Sequence, residues 1–208
     1  SHPKDMTKDL VDTYKISKKL MPLIHLPVQS GSDKVLKLMN RKHLISDYLK
    51  IYENLKAINS NIEFSSDFLI AYPGEDEDDF KDTLNLIKRI KFINSFSFIF
   101  SPRPGTSASK LNLISKEISL ERLEKVRTQL FKNQILVNKS LENREIDVLV
   151  ENKTDEGTRF FGRSEHMTPV IFDGNDKDVG SIIKVKVTHS NQNTLFGESI
   201  NKIEKKVA

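Results

Sequence analysis

The chain has 208 residues, 30% charged and 37% hydrophobic, with 33 basic and 29 acidic side chains for a net charge of +4, and it has no cysteine. That length accommodates one large domain, or a medium domain plus a small module. Without cysteine there is no disulfide, thiolate nucleophile or cysteine-ligated metal or iron–sulfur site within these residues; no apolar run approaches the roughly 20 residues of a membrane span, and the polar residues 1–5 lack the core of a secretion signal. A cytoplasmic protein without a membrane partner is the expectation. Mild basicity permits a nucleic-acid partner without requiring one. The basic excess lies before Asn143, with 23 basic and 18 acidic residues there against 10 and 11 after it.

Residues 5–20 predict an amphipathic helix, with Met6, Leu10, Val11, Tyr14 and Leu20 on one face. No strand precedes it, which points to a truncated βα domain. Residues 23–26 (LIHL) predict a short strand followed by a polar loop, PVQSGS, whose Ser32 caps a helix through Val35, Leu36, Leu38 and Met39. Asn40-Arg41-Lys42-His43 breaks that helix, and Ser46 is expected to cap the next, over 47–58. The apolar run around Phe68 to Ala71, ended by Pro73-Gly74, predicts a buried parallel strand and a turn. The acidic run 75–79 then reads as the solvated start of a helix carrying Phe80, Leu84, Ile87 and Ile90.

Residues 96–100 (FSFIF) predict a third strand, with a loop of turn residues from Ser101 to Thr106. A long helix is expected from about Ser119 to Leu141. Alternating strands and helices with polar loops after each strand indicate a parallel α/β sheet or barrel, with chemistry at the loops. From Arg144 the apolar period becomes two, with turns at residues 155–157, 173–175 and 191–193. That pattern predicts a small antiparallel β-barrel. The domains are accordingly expected at 1–140 and 141–204, with a fraying tail around Lys205-Lys206.

The residues that can carry chemistry sit in the loops. His25 reads as a core histidine with a satisfied nitrogen, and no neighbour at ligand spacing supports a metal site. Gln29, Ser30 and Ser32 around Gly31 form a polar loop that suits a carboxylate, phosphate or ribose, or an ordinary capped turn. Gly74 leaves room for a flat ligand across the strand end, and Asp67 needs a partner if its strand is buried. Arg103, between two prolines, suits an anionic or aromatic ligand or is simply exposed. Arg159, Phe160, Phe161 and Arg163 interleave basic and aromatic side chains, a pattern compatible with single-stranded RNA or with one Phe packed in a core.

In order and spacing, HLPVQSGS (25–32), MNRKH (39–43), SSDFLIAYPGE (65–75), SFSFIFSPRPGT (95–106) and GRSE (162–165) closely resemble the MiaB-type tRNA methylthiotransferases, over practically the whole chain. The resemblance implies the C-terminal part of a radical S-adenosylmethionine (SAM) (β/α) barrel followed by a TRAM domain, a small RNA-binding β-barrel. It implies methylthiolation at C2 of isopentenylated adenosine beside the tRNA anticodon. SAM, two [4Fe-4S] clusters and an electron donor serve that reaction. It also implies roles: Gln29 and Ser30 beside SAM; the strand from Asp67 through Ile70 to Gly74 against its adenine, mainly by backbone; Arg103 near the base or SAM; and Arg159, Phe161 and Arg163 on the anticodon stem-loop. The family's CxxxCxxC motif and the cysteines of its auxiliary cluster are not in this sequence. No catalytic residue and no metal ligand is therefore assigned here, and a monomeric, inactive C-terminal part of a longer enzyme is expected. The alternatives are a stand-alone RNA-binding module, a related methylthiotransferase acting on another modified adenosine, and, far behind, an α/β-barrel lyase or aldolase using Asp67 and Arg103.

Overall fold

The computed structural model describes residues 2–17, 19–154, 157 and 159–200, without the side chains of Ser107 and Ser109. The chain divides into two compact units, one running to Asn133 and one from Gln134, with residues 21–23 grouped with the second. The expected turn at 155–157 lies largely outside the described residues, and the tail at Lys205-Lys206 lies wholly outside them.

Parallel strands form the centre of the first unit. β1 (Leu23–His25) pairs with β2 (Glu63–Ser65), and β3 (Asp67–Ile70) pairs with β4 (Phe96–Ile99) in the register Asp67↔Phe96 to Ile70↔Ile99. Beyond β1 the chain stays beside β3: Gln29 bridges Phe68 in parallel, the Gln29 N–H donates to the Asp67 carbonyl at 3.0 Å, and the Leu69 N–H donates to the Gln29 carbonyl at 2.9 Å. The single central strand expected from the sequence is two. Ser66 interrupts it: its N–H donates to Ser95 Oγ at 2.9 Å instead of to a strand carbonyl, its Oγ accepts the Val28 N–H at 2.9 Å, and its carbonyl accepts the Phe96 N–H at 3.0 Å.

One face of this sheet is the core. Ile24, Leu26, Phe64, Phe68 and Ile70 are buried against α1 (Lys8–Ile16), α3 (Ile45–Ile58), α4 (Glu77–Ile90) and the first half of α5 (Lys116–Ser140), through Val11, Tyr48, Leu55, Ile87, Ile90 and Val126. The Tyr48 hydroxyl reaches across to donate to the Leu26 carbonyl at 2.8 Å. The opposite face carries His25, Asp67, Leu69, Phe96 and Phe98, with Phe96 60% and Phe98 55% exposed and their rings stacked at 6.5 Å. Because the strands are parallel, the loops after β1, β3 and β4 share one edge of the sheet, where open α/β folds bind ligands.

Three helix boundaries differ from expectation. α1 stops at Ile16 after a separate 3-10 turn at Pro3–Asp5, with Thr7 as its cap. α2 (Asp33–Leu38) starts on Ser32 as expected, the hydroxyl accepting the Val35 N–H. α3 starts at Ile45, ahead of Ser46, because two carboxylates cap it: Asp47 Oδ2 accepts the Leu44 N–H and Asp33 Oδ1 the Ile45 N–H. α5 begins at Lys116, with Ser115 Oγ accepting the Ile118 N–H.

The second unit is a closed five-stranded barrel in the order β5-β6-β7-β9-β8: β5 (Glu145–Lys153), β6 (Phe160–Ser164), β7 (Pro169–Asp173), β8 (Ile182–Ser190) and β9 (Leu195–Ser199). Val148, Val150, Phe160, Val170, Phe172, Val185, Val187 and Leu195 fill it. The expectation of an antiparallel barrel holds for four of its five pairings, while β7 and β9 run parallel. An odd number of strands closed into a ring cannot alternate direction throughout, so one parallel pair is forced.

Candidate functional site: a strand-end cradle and an aromatic barrel face

The loop after β1 is locked onto α4. Gln29 sits at φ 74, a left-handed conformation that a non-glycine residue holds only under constraint. Ser30 is 1% exposed, its Oγ accepting the Ser32 N–H and lying 3.4 Å from Thr83 Oγ1. The Gly31 N–H donates to Thr83 Oγ1 at 2.9 Å, and a Cβ at Gly31 would lie 2.5 Å from the Thr83 Cα, so only glycine allows this approach. Ser32 Oγ donates to Asp79 Oδ1 at 2.6 Å, and Lys34 Nζ bonds Asp76 and Asp79 at 2.6 and 2.7 Å. Burial pushes the Asp79 carboxyl up, but the Lys34, Ser32 and Asp76 hydrogen bonds outweigh it and hold the group below its usual range. The bonds to the Asp76 and Asp79 carboxylates raise Lys34 to about 12.

Asp79 is thus a buried anchor of the loop, not part of a solvated helix start. Ser30 and Ser32 likewise spend their hydroxyls inside the protein. The sequence offered no sign of Thr83, which lies 52 residues from Gly31 along the chain.

The loop after β3 is held from below. Ala71 has φ 57 and Gly74 φ 90. The Glu75 carboxylate accepts the Ala71 N–H at 3.2 Å and Arg122 Nη1 at 2.7 Å, and Nη1 also donates to the Glu75 carbonyl at 3.2 Å. Both side chains are nearly enclosed, 1% and 8% exposed, and Arg122 lies 5.2 Å from the Phe80 ring centroid. Burial raises the Glu75 carboxyl above its usual range, partly offset by Arg122. Arg122 was not foreseen, since nothing in a long helix's apolar stripe marks which cation points inward.

On the exposed face, His25 Nδ1 lies 2.8 Å from Ser65 Oγ, and Nε2 lies 3.5 Å from Asp67 Oδ2. His25 is not the core residue expected: its side chain is 48% exposed, beside an Asp67 that is 31% exposed. Gln29 and Asp67 are brought together through the backbone. The Ile70 side chain points into the core, leaving only its main chain at the edge, where its carbonyl accepts the Phe100 N–H at 2.8 Å. Arg103 is exposed in the loop after β4, its carbonyl accepting both the Thr106 N–H and hydroxyl. Among the described residues no group of three or more His, Asp or Glu is placed to hold a metal ion.

In the second unit, Phe160 points into the barrel and Phe161 out of it. Arg163 lies over the Phe161 ring at 5.5 Å while its Nε donates to Glu151 at 3.0 Å, and Arg159 faces Asp173 at 3.9 Å. Strand register extends the outward row beyond what the sequence revealed: Phe161 is opposite Ile171, Ile171 opposite Phe196, and Phe196 opposite His189. The His189 and Phe196 rings are stacked at 4.5 Å and 2°. Outward-facing aromatic rings, with a guanidinium over the one at Phe161, offer faces on which a planar base can stack.

Residues 2–87 match the radical SAM superfamily and residues 139–200 the TRAM domain. The whole chain is 60% identical over 208 residues to a protein of Pelagibacter ubique (strain HTCC1062) named tRNA-2-methylthio-N(6)-dimethylallyladenosine synthase, and spans 47% of that relative's length. Among solved structures, coproporphyrinogen III oxidase (HemN) from Escherichia coli, described as a radical SAM enzyme, is similar in fold with a TM-score of 0.53. That likeness covers 94% of this chain and 49% of the other at 13% identity. The chain thus carries a radical SAM superfamily match followed by a TRAM domain match, and it is similar along its full length to about half of that synthase.

Proposed function

We propose that this chain supplies SAM-facing and RNA-facing surfaces of a tRNA-2-methylthio-N6-dimethylallyladenosine synthase, working in the cytoplasm on the anticodon stem-loop. The observation that carries this reading is the 60% identity across all 208 residues to a relative of that name. In the reaction, the C2 hydrogen of N6-isopentenyladenosine is replaced by a methylthio group.

The strand-end cradle fits a flat ligand with hydrogen-bonding groups. Gln29 in the loop after β1 and Asp67 on the exposed face of β3 present polar side chains, and the turn at Gly74 carries no Cβ. The left-handed Gln29 and Ala71 mark the two loops as constrained, as ligand clamps commonly are. SAM bound there supplies both the radical chemistry and the methyl group of the family's reaction. Buried Ser30 contributes by fixing the Gln29 loop, and Ile70 by its main chain only. Iron–sulfur clusters do not fit the residues present, since the chain has no cysteine to ligate one. Arg103 is placed in an exposed loop at the same edge, suited to the substrate base or SAM. Arg159, Phe161 and Arg163, with Ile171, Phe196 and His189, form the RNA-facing row of the barrel.

The test is a chimera in which this chain replaces the matching segment of the Pelagibacter ubique relative, expressed in cells lacking the modification. Mass spectrometry of tRNA nucleosides should recover the methylthiolated nucleoside. A soluble chimera that leaves C2 unmodified refutes the assignment. The 208-residue chain incubated alone with SAM, reductant and isopentenylated tRNA should give no product.

A further inference from the structure

The MNRKH segment has no role in the surfaces described above, yet it is among the most basic stretches of the chain. From Lys34 to Ser46 there are four cations, Lys34, Lys37, Arg41 and Lys42, and no acidic residue. After α2 the backbone turns through a left-handed Asn40 (φ 57), with the Arg41 N–H donating to the Leu36 carbonyl at 2.8 Å. This turn gathers Lys37, Arg41, Lys42 and His43 around a cleft of about 410 Å³, which Asp33, Lys34, Leu44 and Asp47 complete.

The charges there are unequally satisfied. Lys34 is taken by Asp76 and Asp79. The two acids of the cleft face main chain, Asp33 accepting the Ile45 N–H and Asp47 the Leu44 N–H. Among the described residues, Lys42 Nζ reaches only the neutral Asn40 side chain, at 2.6 Å. Lys37 and Arg41 have no ion pair among the described residues. A cationic surplus therefore remains.

His43 is the second observation. It is 6% exposed and lines the cleft, and among the described residues neither Nδ1 nor Nε2 has a hydrogen-bond partner, although the His2 ring packs edge-on against it at 5.4 Å. Leaving a buried polar group unsatisfied is costly, and native structures rarely do so without a reason. Burial, reinforced by His2 and Arg41, lowers the pKa of this ring, so at neutral pH it offers one N–H donor and one acceptor. A guanidinium fork, two ammonium groups and a buried N–H donor together match a tetrahedral oxyanion.

We propose that this cleft is a phosphate-binding site, with Lys37, Arg41 and Lys42 supplying charge and His43 donating a hydrogen bond. The phosphate is either a phosphodiester of bound RNA or a free phosphate group, and the measurement separates the two. The imidazole signals of His43, assigned with His43→Gln, are followed by NMR in the complete chain. Inorganic phosphate and a small RNA hairpin are the two probes, each against sodium chloride at matched ionic strength.

A saturable shift of the His43 ring with phosphate, weakened about tenfold by the half-exposed Arg41→Ala, supports the site. If the RNA hairpin also shifts the ring, and Arg41→Ala/Lys42→Ala lowers the salt slope of RNA binding by about 1 to 2, the source is an RNA phosphodiester. Phosphate alone shifting the ring identifies a free anion and leaves the tRNA reading to stand or fall separately. A ring that responds to neither probe, or responds equally in Arg41→Ala, overturns the proposal.

Discussion

Replacing Arg122 by Met tests whether the turn after β3 is held by a buried charge pair. The substitution keeps much of the aliphatic volume and removes the guanidinium. It deletes the 2.7 Å bond to the Glu75 carboxylate, the 3.2 Å bond to the Glu75 carbonyl and the contact with Phe80. The carboxylate left behind is 1% exposed and retains only the Ala71 N–H. Removing one partner of such a pair typically costs about 3–5 kcal/mol, because the remaining charge stays out of water. Glu75→Gln, which keeps the shape and leaves the cation near the surface of Glu77, should cost less, about 1–3 kcal/mol. The double variant should cost less than the sum of the singles.

All four tyrosines precede Asn133 and there is no tryptophan, so tyrosine fluorescence during urea unfolding reports on the first unit alone. The pH dependence carries a sign. Because the Glu75 carboxyl titrates above its usual range in the fold, its neutral form is favoured there, and stability is greatest below the ordinary carboxylate range and declines as pH rises through the raised value. Without Arg122 that rise is larger, so the deficit of the variant should shrink toward acid pH. A loss under about 1 kcal/mol at neutral pH, or a deficit that grows on acidification, would refute the buried-pair account.

Gly31→Ala places a methyl group 2.5 Å from the Thr83 Cα and 2.6 Å from the Asp82 carbonyl oxygen. It should cost about 3 kcal/mol or more by the same fluorescence assay, since backbone on both sides must move. Ala71→Gly should stabilise the first unit by about 0.5–1 kcal/mol by relieving a left-handed alanine at φ 57, and a destabilised variant would show that the Ala71 methyl contributes more by packing than it costs in strain. In the barrel, Phe196→Ala and His189→Ala should each weaken binding of an unpaired RNA loop by about 1–3 kcal/mol while leaving its salt slope unchanged, as stacking does. Arg163→Gln should instead flatten that slope. If Phe196→Ala changes only the slope, the row works by charge and the stacking argument fails.

The sequence by itself determined what is local or periodic. Ser32 as a helix cap, the Pro73-Gly74 turn, the parallel character of the apolar runs and the change of period after Arg144 all follow from neighbouring residues, and the structure places them as read. The order of the motifs also carried the resemblance, because several spaced segments agreeing at once is far more specific than any one loop. What tertiary structure alone decided lies in contacts between residues some 20 to 50 apart along the chain. Asp79 looked like one more solvated acid and is buried because Ser32 and Lys34 meet it there. Ser30 reads as one more polar loop residue and is buried, its hydroxyl accepting the Ser32 N–H and lying 3.4 Å from Thr83 Oγ1. His25 looked like core and faces outward, since a three-residue strand does not fix which side its neighbours will cover. His189 and Phe196 become a stacked pair continuing the Phe161 row only because β9 inserts between β7 and β8. Periodicity assigns a residue to a face of its own strand; which strand lies next to it depends on how the ring closes.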